Sequence, residues 1–274
     1  LPLLILFRLR DPYQIVLLNA AATGRAFAAT LGRILSTLLL SGLFCALGLV
    51  GPVWAVACLT LPAGMELVLT RAFARPFMRR MEPSVEPPPS YLDLTVFAMT
   101  LSIGLLFLTL SGFMVGAFAA RAPDPQRMLP VFYLALGIAN PVAVGATRLQ
   151  ALTLTYYGQS ARINRKLIVF TGLAGLALGL FPMLLAAPGL IHWYYAHLQK
   201  LPGADLGLIR STSLVLVWLP LAAALRAYSE GKAAWARKPA VILAGQAVYL
   251  SIGATLAFLA LHAGLPGNLL GAAA

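Results

Sequence analysis

Leu92-Asp-Leu-Thr-Val-Phe-Ala-Met-Thr-Leu-Ser-Ile-Gly-Leu-Leu-Phe-Leu-Thr-Leu-Ser-Gly-Phe-Met-Val-Gly-Ala-Phe-Ala119 holds a single charged residue, Asp93, at its start. A helix rises 1.5 Å per residue, so about 20 apolar residues cross roughly 30 Å of hydrocarbon. The run is too long for a strand and lacks period-two alternation. Six further windows read the same way: Leu31–Val50, Val53–Ala72, Leu129–Thr155, Leu167–Ala187, Leu206–Ala227 and Val241–Leu261. Leu1–Phe7 reads as the tail of an earlier helix and Leu265–Ala274 as the start of a later one. Tyr13–Ala22, after Asp11-Pro12, is too short to span and reads as an interfacial or connecting helix. The expected fold is an all-α, polytopic integral membrane bundle, present as a fragment with seven full spans and two partial ones.

Composition agrees. The 274 residues are 60% hydrophobic and 10% charged, where a soluble domain carries about 25% charged residues. That deficit points to lipid as the solvent. The net charge of +12 is not a nucleic-acid signal, because the basic residues sit between apolar runs and not in stripes interleaved with aromatics. Cys45 and Cys58 both fall in apolar segments and read as buried thiols. His192 and His197, five residues apart beside Trp193-Tyr194-Tyr195, have the wrong spacing for one helical face. They read as part of an aromatic belt, with no metal site.

The basic residues set an orientation. Of 20 Lys and Arg, fifteen lie in alternate connections, around Arg8–Arg33, Arg71–Arg80, Arg162–Lys166 and Arg226–Lys238. Four lie in the other set: Arg121, Arg127, Lys200 and Arg210. Cytoplasmic loops collect Lys and Arg, and a missed helix would scramble this alternation. The expected location is a bacterial inner (plasma) membrane, with the basic loops cytoplasmic.

The longest polar break, Glu82-Pro-Ser-Val-Glu-Pro-Pro-Pro-Ser90, is stiff and helix-breaking. It is either an ordinary loop or a join between two halves. An internal repeat favours the join. Leu1-Pro-Leu-Leu-Ile-Leu-Phe-Arg8 matches Leu219-Pro-Leu-Ala-Ala-Ala-Leu-Arg226, and Gly48-Leu-Val-Gly51 matches Gly264-Leu-Pro-Gly267. Parallel repeats of this kind build transporters from two equivalent halves. The division expected is a first lobe over 1–82, a cytoplasmic linker over 83–90, and a second lobe over 91–274.

With Leu219-Pro-Leu-Ala-Ala-Ala-Leu-Arg-Ala-Tyr-Ser-Glu-Gly231, the chain resembles the multidrug/oligosaccharidyl-lipid/polysaccharide (MOP) flippase superfamily. That group holds the MATE exporters, the polysaccharide and lipid flippases, and the progressive-ankylosis transporters. Arg226-Ala-Tyr-Ser-Glu-Gly231 and Gly264-Leu-Pro-Gly267 look most like the last branch. The resemblance implies a MATE-like pair of six-helix lobes, here lacking the early helices and most of the final one.

Arg148 stands roughly 9 Å past the middle of its window. It either snorkels to the headgroups or faces a cavity and binds an anionic group. Asn140 lies eight residues earlier, next to Pro141, and shares its helical face. Arg226 would stand near the cytoplasmic mouth. Gln246 either lines a pathway or bonds to a neighbouring helix. Glu66 either pairs locally near Arg71 or relays protons as a coupling carboxylate. Pro62, Pro141, Pro182 and Pro220 interrupt four different spans. Gly112–Gly116, Gly175–Gly179 and Gly267–Gly271 are small-residue faces for close packing within the bundle, with no oligomer required.

The function expected is a secondary transporter or flippase, not an enzyme. It would move an amphiphilic or anionic solute by alternating access of two lobes, driven by a coupling ion, proton or sodium, and without a cofactor. The rivals are a lipid-modifying enzyme and a membrane scaffold. The eight acidic residues form no Asp-x-x-Asp or His-Glu cluster of the kind such an enzyme needs.

Overall fold

The computed structural model describes residues 2–49, 51–80, 90–201 and 205–273. Among them every regular element is a helix. In chain order these are α1 (Pro2–Asn19), α2 (Thr23–Ala46), α3 (Pro52–Met78), α4 (Tyr91–Ala119), α5 (Pro125–Ala146), α6 (Leu149–Tyr156), α7 (Ala161–Leu185) and α8 (Pro188–His192). A π-helical turn, Trp193–Leu198, follows. Then come α9 (Leu206–Val215), a 3-10 turn (Leu216–Trp218), α10 (Leu219–Trp235), α11 (Pro239–His262) and α12 (Gly267–Ala273).

Among the described residues, seven spans are long and apolar enough to cross a membrane: α2, α3, α4, α5 with α6, α7, α9 with α10, and α11. Their starts follow local chemistry. Ser90 caps α4, accepting from the Asp93 N–H at 3.1 Å while its hydroxyl donates to Asp93 Oδ2 at 2.7 Å. Ser160 caps α7 through the Ile163 N–H. Prolines open α3, α5 and α11, where a missing N–H costs nothing.

The packing is inverted relative to a water-soluble bundle. At most 39% of any span's apolar window is buried. The buried positions are small or hydroxylated, such as Ala29, Ala63, Thr171 and Ala224, while Leu39, Val53 and Phe113 are more than 70% exposed. In lipid, leucine gains little by leaving hydrocarbon, so helices associate where small residues let backbones approach. At Gly175 an added Cβ would lie 2.9 Å from Leu221 Cα, and at Gly179 2.6 Å from the Val217 carbonyl. Gly267 and Gly271 meet Ala119 and Phe132 in the same way. Gly112 departs from the expectation: nothing stands within 4 Å of its Cβ position, while Gly116 meets Tyr133.

The chain separates into two compact units, Leu1–Pro88 and Pro89–Ala274. Of the Pro-rich stretch 83–90, only Ser90 belongs to the described residues. In the first unit α3 packs on both α1 and α2. In the second, α10 packs against α5, α6 and α7, and α4 packs along α11.

Several local expectations change. Leu1–Phe7 and Tyr13–Ala22 are not separate segments, because α1 runs through Pro12. Pro220 sits in the first turn of α10, and the break in that span is the 3-10 turn before it. Pro62, Pro141 and Pro182 lie inside α3, α5 and α7. The cysteines are free, but Cys45 is exposed and Cys58 half-buried. His192 and His197 do meet, with ring centroids 5.7 Å apart. The π turn is the reason, since its i→i+5 repeat aligns residues five apart.

Candidate functional site

A cavity of about 720 Å³ opens in the second unit among α4, α5, α10 and α11. The sequence leaves it unfilled because Gly112, Ala143, Ala222, Ala233 and Gly245 are short at its walls. Ala222, Arg226, Ser229 and Ala233 recur at three- and four-residue steps, so one stripe of α10 faces the space. Most of the lining is apolar. The charged groups and Gln246 gather on α10 and α11, with Ser111 and Asn140 on α4 and α5.

That pole is built from three side chains. Arg226 Nε stands 3.7 Å from Glu230 Oε1, one turn further along α10. The distance is too long for a hydrogen bond. Glu230 Oε1 instead accepts from Gln246 Nε2 on α11, at 3.1 Å. Arg226 Nε and Gln246 Oε1 are buried without a hydrogen-bond partner. Asn140 faces the same cavity from α5. Arg226 and Glu230 are the charged residues of the lining, and they form an ion pair without a direct hydrogen bond between them.

The candidates from sequence are thus divided. Asn140, Arg226 and Gln246 come together, and Gln246 both lines the cavity and bonds to a neighbouring helix. Arg148 is exposed and is not among the lining residues. The shared face expected for Asn140 and Arg148 does not form, because the helix breaks at Thr147–Arg148. There the Arg148 N–H bonds to Gly145 and the Gln150 N–H to Thr147, a tightened i−3 pattern. Glu230 escaped the sequence reading. Its signal was the four-residue spacing from Arg226, which puts opposite charges on one helical face.

Glu66 belongs to a different cluster, in the first unit. It is fully buried. Its Oε2 meets Arg10 Nη1 at 3.0 Å and Arg33 Nε at 2.9 Å, while Oε1 accepts from the Thr30 hydroxyl at 2.7 Å. Both guanidiniums lie over the Phe7 ring, at 4.8 Å and 5.5 Å. The expected partner Arg71 is replaced by residues from α1 and α2. Tertiary packing decides this, since Arg71 is exposed on the far side of its own helix. Both carboxylate oxygens are engaged, so the cluster ties α1, α2 and α3 together.

At the opposite end of the second unit from the basic loops, Arg127 pairs with Asp205. The hydrogen bond from Arg127, helped by the Leu208 N–H, holds the Asp205 carboxyl below its ordinary range. Among the described residues no group of three or more His, Cys, Asp or Glu is arranged to hold a metal ion. Compared with protein-family models, curated proteins and solved structures, the chain matches none.

Proposed function

We propose that the protein is a secondary transporter or flippase of the MOP type. It moves an amphiphilic solute with an anionic group across the bilayer, by alternating access of two helical lobes. The observation that carries this reading is the cavity with Arg226 at its polar pole. A charged head cannot cross hydrocarbon unaided, because an isolated charge loses its hydration without replacement. The cavity offers apolar walls for a tail and a guanidinium for a head, and the planar fork of arginine suits phosphate or carboxylate. Asn140 supplies a neutral donor and acceptor on the facing wall. The division of the chain into two units and the 1–8 and 219–226 repeat support two equivalent lobes. Basic loops and linker then lie in the cytoplasm of a bacterial cell.

Accessibility tests this. A single cysteine at position 222, on the cavity stripe, should react with a membrane-impermeant maleimide from either side of the membrane. Octyl phosphate should slow the labelling. Labelling from one side alone, under all conditions, would contradict alternating access.

A further inference from the structure

Gly104 lies on α4, opposite Gln246 of α11. A Cβ built on Gly104 would overlap the Gln246 amide oxygen and lie 2.9 Å from its Cδ. The three nearest atoms to that Cβ all belong to Gln246. The missing side chain is therefore a notch that seats one amide. With the carbonyl oxygen in the notch, the NH2 group points to Glu230 Oε1 and donates at 3.1 Å. This orientation is the one that gives the carboxylate a donor. The consequence appears one turn back on α10. Arg226 and Glu230 have the spacing of a helical ion pair and do pair, but loosely, at 3.7 Å and with no hydrogen bond on Arg226 Nε.

We propose that Gln246, seated by Gly104, is a positioning residue: by taking the hydrogen bond of Glu230 it keeps the Arg226–Glu230 ion pair loose and so leaves the donors of the cavity's guanidinium to an anionic group of the solute. The proposal rests on the cavity reading above and adds the element that makes it work. Without the tether, Glu230 tightens the pair into a direct hydrogen bond and takes up the donors of Arg226. With the tether, the incoming anion completes hydrogen bonds that the empty cavity leaves unmade. Specificity follows from the same geometry. Glu230 stands beside the head, so a group carrying both a negative and a positive charge fits with its anion at Arg226 and its cation at Glu230.

The test uses the intact protein in nanodiscs of zwitterionic lipid, with octyl phosphate as the probe and its dissociation constant as the readout. Arg226→Ala should abolish saturable binding; binding equal to wild type overturns the cavity reading and this inference with it. Given that dependence, Gln246→Leu should weaken binding roughly tenfold, the worth of a hydrogen bond to a charged group. Glu230→Gln should tighten it. The double variant Gln246→Leu/Glu230→Gln should bind like Glu230→Gln alone, since no carboxylate remains to close on Arg226. Gly104→Ala should reproduce the loss, and adding Gln246→Ala should cause no further one. A Gln246→Leu variant that binds like wild type, or a loss that persists in the Glu230→Gln background, overturns the positioning role and leaves the cavity reading intact.

Discussion

Glu66 shows how far one residue's surroundings alter its meaning. As a string, Glu66 and Arg71 invite pairing along one helix, yet the carboxylate is claimed by Arg10, Arg33 and Thr30 from two other helices. Removing one partner from a buried ion cluster leaves the others uncompensated, at a cost of about 3–5 kcal/mol. Glu66→Leu should therefore lower the melting temperature sharply, while Arg71→Leu should leave it within a degree or two; detergent-solubilised thermal unfolding reads both. Equal effects would mean the cluster is not what ties α1, α2 and α3. Arg148 gives the opposite contrast. It is exposed and outside the cavity lining, so Arg148→Lys should leave transport at the wild-type level while Arg226→Lys, which loses the planar fork, should reduce it. Asn140 and Gln246 were legible as polar residues in apolar runs, and Arg226 as a basic residue at a helix end. Their partners were not, because Glu230 and Gly104 acquire roles only when α10, α11 and α4 meet.

Elements were legible where a single physical rule decides them. Apolar runs of bilayer length gave the spans but not their starts, which the structure sets at the caps Ser90 and Ser160 and at the prolines of positions 52, 125 and 239. Interruptions were less so. The break at Thr147–Arg148, the 3-10 turn at Leu216–Trp218 and the π turn at Trp193–Leu198 carry no proline at the irregular residues themselves. Pro12, which does, leaves α1 unbroken. Small-residue contacts carry their own prediction. Gly175→Leu drives a side chain into the α10 backbone, and overpacking costs typically about 1–3 kcal/mol. Gly112→Leu, facing open space, should cost less in stability but fill the cavity and weaken octyl phosphate binding. Thermal unfolding and binding of the two variants should therefore separate.

The Arg127–Asp205 pair ties the start of α5 to the start of α9. The Asp205 carboxyl is held below its unfolded value. Its contribution is therefore full at neutral pH and is lost as pH falls through the folded value, below the ordinary carboxylate range. Asp205→Asn should remove that acid-side component of the melting-temperature profile and leave the neutral side nearly flat. An unchanged acid limb in the variant would show that the pair contributes nothing there.

For the whole molecule, orientation and transport come before energetics. Cysteines at positions 165 and 232 should label from the cytoplasmic face and those at 124 and 199 from the other; residues 124 and 165 labelling from one side would break the topology. In the sequence the Pro-rich break and the internal repeat suggested two halves, while the cavity left no signal, since a void is made by what Gly112, Ala222 and Gly245 lack. The most direct measurement of the central claim is flux. The intact protein is reconstituted in vesicles with a fluorescent short-chain phosphatidic acid, and translocation is followed by quenching from outside. Wild type should move the lipid between leaflets well above protein-free vesicles, and Arg226→Ala, folded to the same extent, should fall to the protein-free rate. Translocation by Arg226→Ala at the wild-type rate would contradict the account.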